Sequence, residues 1–168
     1  MNMQAMVLSI IGKDKSGLVE QLAQAVKNAE GNWLESSFCQ LGGQFAGFVE
    51  IMLPRENHNA LIQHCHSLSN LQITLVPASE KKANTHKIIK LLVTGNDRLG
   101  IVNDIASALK GFDINIESLS TVCESAPNWG SPMFSASIKI SAEEGFNIDR
   151  IIETLEEIAD DLVVDIKS

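Results

Sequence analysis

Apolar positions along this chain follow two periods in turn, and the whole cycle runs twice. Met6-Val7-Leu8-Ser9-Ile10-Ile11 is an apolar run of strand length. After the loop Gly12-Lys13-Asp14-Lys15-Ser16-Gly17, apolar residues recur at spacings of three and four: Leu18, Val19, Leu22, Ala25, Val26 and Ala29. That pattern predicts a strand, a glycine-bounded loop and a helix from 17 to about 30, with the Ser16 hydroxyl as its cap. Residues 32–41 and 44–53 read as strands joined by Gly42-Gly43, a pair able to take the positive φ values of a tight hairpin, and Pro54 ends the second. A second helix is expected over 56–68 with Leu61, Ile62, Cys65 and Leu68 inward, then a short strand over 71–76.

The second half repeats this order. Gly95-Asn96-Asp97-Arg98-Leu99-Gly100-Ile101-Val102 answers Gly12-Lys13-Asp14-Lys15-Ser16-Gly17-Leu18-Val19 eighty-three positions later. Strands are expected over 87–94, 114–123, 133–141 and 162–166, with helices over 100–110 and 148–160. The second hairpin is longer, because Ser-Ala-Pro-Asn-Trp-Gly-Ser over 125–131 stands where the first copy has Gly-Gly.

Two βαββαβ units define an α+β chain of two tandem ferredoxin-like sandwiches, each an antiparallel four-stranded sheet with two helices on one face. The expected domains are 1–79 and 86–168, joined by a polar linker over 80–85. Domains this small bury only about 60% of their unfolded surface, so association, most simply as a dimer, is a physical expectation.

Composition then narrows the function. No segment approaches the roughly 20 apolar residues of a membrane span, and Met1-Asn2-Met3-Gln4 lacks the basic start of a secretory signal. Cys39, Cys65 and Cys123 form no close pair, which fits reduced thiols and a cytoplasmic protein. The net charge is −8: residues 1–83 carry six Lys/Arg against seven Asp/Glu, and residues 84–168 carry seven against fourteen. No run of basic residues suggests direct contact with nucleic acid.

Candidate chemistry concentrates in the repeated loop. The first turn of each following helix offers N–H groups without helical acceptors, and with the helix dipole these favour a carboxylate. Asp14 or Asp97 could meet an ammonium, so one loop would hold both charges of an amino acid. The spacing Gly-x4-Gly is also that of a phosphate loop, but Leu18-Val19 and Ile101-Val102 replace its Lys-[Ser/Thr]. His64-Cys65-His66 is no metal site on a helix, where neighbours two apart diverge; a partly buried His64 and an exposed His66 are expected. No Ser/His/Asp or Cys/His nucleophile arrangement assembles, with His58 starting a helix and His86 a strand, so no catalytic residue, cofactor or enzyme activity is expected. Glu153, Glu156, Glu157, Asp160 and Asp161 lie opposite Ile151, Ile152, Leu155 and Ile158, a solvated face by default and a docking surface in the functional reading. Trp129 at the second hairpin tip is a further docking candidate.

The loop Gly-x-Asp-[Lys/Arg]-x-Gly-[Leu/Ile]-Val between the first strand and first helix of a βαββαβ unit resembles that of the ACT domain, a regulatory module that binds amino acids. Ser16 and Leu99 stand where many ACT domains carry proline. Two such repeats together are similar to the glycine cleavage system transcriptional repressor family. The resemblance implies ligand contacts from Gly12, Asp14, Lys15, Ser16, Gly17 and Leu18, and from Gly95, Asn96, Asp97, Arg98, Gly100 and Ile101. It also implies a small amino acid, glycine in the family, as ligand, and an accessory regulator that acts through a separate DNA-binding activator. The alternative is a free-standing amino-acid-binding module that regulates a metabolic enzyme by association.

Overall fold

The computed structural model describes residues 2–68, 71–79, 86–125 and 132–167. The linker expected over 80–85 and Trp129 lie outside the described residues. The chain forms two compact units, Met1–Lys81 and Lys82–Ser168.

The first unit runs β1 (Met3–Lys13), α1 (Leu18–Asn28), β2 (Asn32–Leu41), β3 (Gln44–Pro54), α2 (His58–Ser67) and β4 (Gln72–Pro77). Its antiparallel sheet has the order β2-β3-β1-β4. The second unit runs β5 (Lys87–Asn96), α3 (Ile101–Gly111), β6 (Asn115–Ser125), β7 (Pro132–Ala142), α4 (Asp149–Glu156) and β8 (Val163–Lys167), in the order β6-β7-β5-β8. This is the expected ferredoxin-like α+β architecture, twice.

Strand alternation decides which face is covered. Met6, Leu8 and Ile10 of β1 and Val49, Ile51 and Leu53 of β3 are buried with Leu18, Leu22 and Val26 of α1 and Leu61 and Cys65 of α2. Leu91 and Val93 of β5 join Phe134, Ala136, Ile138 and Ile140 of β7 with Ile105, Leu109, Ile151 and Leu155 of the helices. The opposite face of each sheet carries no helix of its own unit. Gly47 lies on the covered face beside Phe38, where a methyl group would land on the Ser37 carbonyl oxygen. Gly42 and Gly43, at φ 57° and 75°, make the expected two-residue hairpin.

Helix ends depart from the sequence reading. The Ser16 hydroxyl does not cap α1; Gly17 is the N-cap, in the left-handed region at φ 85°, with no side-chain hydrogen bond. Gly100 does the same for α3 at φ 83°. The chain must reverse between strand and helix, and a left-handed residue achieves this where a hydroxyl cap would need extended backbone. Helix α1 stops at Asn28 because Glu30, at φ 58°, closes it with bonds from its N–H to Lys27 O and from Gly31 N–H to Val26 O. Asp113, at φ 56°, closes α3 in the same way. The helix expected from 56 begins as a 3-10 turn, Arg55–Asn57. The last helix ends at Glu156, four residues before the expected 160.

Candidate functional site

Both repeated loops leave their sheets at the same point. Asp14 N–H donates to Gly43 O at 3.1 Å, and Asp97 N–H donates to Pro132 O at 2.8 Å, so each aspartate is pinned between the first strand and the neighbouring hairpin. Gly95 lies on the covered side of β5, where an added Cβ would sit 2.8 Å from Leu162 Cδ2 and force that side chain to shift. Asn96 N–H donates to Asp161 Oδ2 at 2.7 Å, which ties the second loop to the turn before β8.

The two loops then diverge in what surrounds the aspartate. In the first, Gln40 Nε2 donates to Asp14 Oδ2 at 2.7 Å. In the second, the position paired in the same register is Cys123, whose thiol hydrogen-bonds to the Asp97 carboxylate. That thiol is held above its ordinary range by partial desolvation first and by Asp97 second. Lys15 and Ser16 are exposed. Arg98 reaches the helix, with Nη2 2.7 Å from Asp104 Oδ2, while Nη1 donates to Leu99 O of the loop at 3.4 Å.

A larger difference lies two pairs further along the strand. Phe38 opposes Gly47 in the first sheet, and Thr121 opposes Ala136 at the equivalent point in the second. The Phe38 ring stacks on Phe45 at 5.2 Å, meets Trp33 at 6.0 Å and packs partly buried against the core of the first unit. With threonine there, the second unit holds an open cleft of about 330 Å³ lined by Asp97, Arg98, Leu99, the first turn of α3 from Ile101 to Asn103, Thr121, Cys123 and Phe134. Of the expected ligand residues, Asp97, Arg98, Gly100 and Ile101 meet in this cleft; Gly95 and Asn96 shape its loop from behind. Phe38 and Thr121 escaped the sequence reading, because only cross-strand register shows that they occupy one position.

A hollow of about 470 Å³ lies on the open face of the first sheet, between Ile11, Ser37, Phe48 and Thr74. It has no charged lining residue, so it lacks the groups that would hold an amino acid's termini.

The other candidates resolve less favourably. His64 and His66 are both exposed on either side of buried Cys65, so His64 is not partly buried as expected. Glu153 and Glu156 are on α4, but Glu157, Asp160 and Asp161 lie beyond it. Glu156 Oε1 accepts from Val164 N–H at 3.2 Å and Asp161 from Asn96, so these two carboxylates serve backbone donors. No helix among the described residues is long and apolar enough to cross a membrane.

Strand order and two helices on one face give each unit the ferredoxin-like α+β fold, and the second unit adds a cleft at its repeated loop. Residues 4–75 match the model of the ACT domain, a small-molecule-binding regulatory module. The first unit is therefore an ACT domain, and the second repeats its fold and loop. The crystal structure of an unknown protein from Galdieria sulphuraria superposes with a TM-score of 0.86 at 26% identity, covering 99% of this chain and 98% of that one. A protein provisionally described as a glycine cleavage system transcriptional repressor superposes at 0.71 with 18% identity, covering 100% and 99%. No curated protein matches.

Proposed function

We propose that this chain is an amino-acid-responsive accessory regulator whose live sensing site is the cleft of the second unit. The observation that carries this reading is the asymmetry between the loops: Phe38 and Gln40 occupy the first, whereas Thr121 and Cys123 leave the second open beside Asp97 and the helix start. An amino acid would set its ammonium against Asp97 and its carboxylate against the N–H groups of Val102 and Asn103, which have no acceptor within the helix. Neither terminus needs a metal or cofactor, and the reading assigns no catalysis.

Regulation follows if the ligand prefers one conformation or assembly of the chain, since only that difference can alter affinity for a partner. The description of that structural neighbour as a glycine cleavage repressor motivates the choice of pathway, and on this reading the partner is a DNA-binding activator of glycine cleavage genes, glycine is one ligand to test, and the regulator is a cytoplasmic dimer. Calorimetric titration with glycine and a panel of other amino acids tests the site. Saturable heat that Asp97→Ala removes and Asp14→Ala spares is expected; loss only in Asp14→Ala would overturn the assignment to the second loop. Capture of the activator with and without the ligand tests the mechanism, and equal capture at saturation would sink it.

A further inference from the structure

The first unit carries, in its own side chains, the groups that an amino acid would bring to the second. Gln40 Nε2 donates to Asp14 Oδ2 at 2.7 Å, so an N–H donor already stands where an ammonium would bind. Two residues away on the same face of β2, the Phe38 ring lies over Gly47, stacks on Phe45 and meets Trp33. The aspartate thus has a nitrogen donor beside it and, next to that donor, an apolar group packed against the core.

The second unit keeps these surroundings and lacks the occupant. Cys123, whose thiol is a weaker donor than an amide, stands in Gln40's place, and Thr121 stands in Phe38's. Ile116, Phe134 and Ala136 take the positions of Trp33, Phe45 and Gly47, the three residues around the ring. Among them lies a gap of about 10 Å³, lined on the helix side by Val102, Ile105 and Ala106 of α3. Apart from the Thr121 hydroxyl, its lining is apolar. That is room for about one methyl group or water, and an apolar space offers a water too few partners to hold it. The gap adjoins the cleft beside Asp97, with Val102, Thr121 and Phe134 lining both.

We propose that the second cleft selects an amino acid with an apolar side chain of about leucine's size, its ammonium on Asp97 and a terminal methyl in the gap beside Ala136. The inference rests on the reading of the cleft as an amino-acid site and adds which class that site takes. Glycine would leave the gap empty. A charged side chain would shed its water against apolar walls, and the cleft's cation, Arg98, is already paired with Asp104. An apolar side chain gains by the same desolvation, at least about tenfold in affinity for one of leucine's size. Thr121 is thereby a specificity-determining residue, since its small side chain leaves the gap open to the cleft.

Titration calorimetry of the full chain with a panel of amino acids tests this. Expected is leucine binding at least about tenfold tighter than glycine, serine or glutamate. In Ala106→Leu the chain's own side chain enters the gap from α3, and the ratio of leucine to glycine affinity should fall at least about fivefold with unchanged circular dichroism. No heat from any amino acid of the panel would overturn the amino-acid reading of the cleft and this inference together. Glycine, serine or glutamate bound as tightly as leucine would overturn the inference and leave the site standing. So would a leucine preference that Ala106→Leu leaves untouched.

Discussion

Two left-handed positions show how one backbone requirement acts in opposite directions at the level of a residue. Gly100 starts α3 at φ 83°, where a Cβ meets nothing but strains the backbone. Gly100→Ala is expected to cost about 1 kcal/mol in urea unfolding. Glu30 takes φ 58° with a side chain, so Glu30→Gly should gain roughly 0.5 kcal/mol by the same measurement. Gly47→Ala is the severe case: overpacking against the Ser37 backbone should cost about 3 kcal/mol and appear as a lowered melting temperature. Burial pushes the Cys65 thiol up to about 11 from an ordinary 9.0. Because its folded value is the higher one, its contribution to stability is complete below pH 9.0 and is lost as the pH rises toward 11. A disulfide reagent should therefore label exposed Cys39 and Cys123 in the native chain and reach Cys65 only on unfolding. The Ser16 cap was misread for a related reason: its residue type suits a cap, but the turn's demand for positive φ at Gly17 is a property of the path between strand and helix.

Elements carry the difference between the repeats. Thr121→Phe should close the second cleft and abolish its calorimetric signal, while Phe38→Thr should open the first at a cost of about 3 kcal/mol. Binding gained in Phe38→Thr would show that this one pair separates a filled loop from an open one; no heat in either unit would remove the cleft from consideration. Element type and order were legible because period-two and period-3.6 patterns alternate cleanly in each half, and the strand β2 agrees with its expected bounds at both ends. The cleft was half legible. Asp97 and Arg98 stand in the repeated motif, but Thr121 acquires meaning only opposite Ala136, and Arg98 turns toward Asp104, a contact that loop sequence does not specify. The shortened α4 moved Asp160 and Asp161 off the helix face for which helical spacing had placed them.

At the scale of the whole molecule, the net charge of −8 conceals an uneven distribution, with lysines collected on one sheet face. Within each sheet the edge strand beside the hairpin, β2 or β6, is distorted at the same place. Register shifts between Trp33 and Glu35 in β2 and between Ile116 and Ser118 in β6, where Leu34 and Glu117 are the extra residues. Such a bulge bends the strand, so its free N–H and C=O groups no longer form the straight template that another strand could extend. A chain built from two sheets would otherwise present repeated invitations to open-ended growth. Repeating the kink in both units shortens the straight edge that each would otherwise offer to open-ended growth.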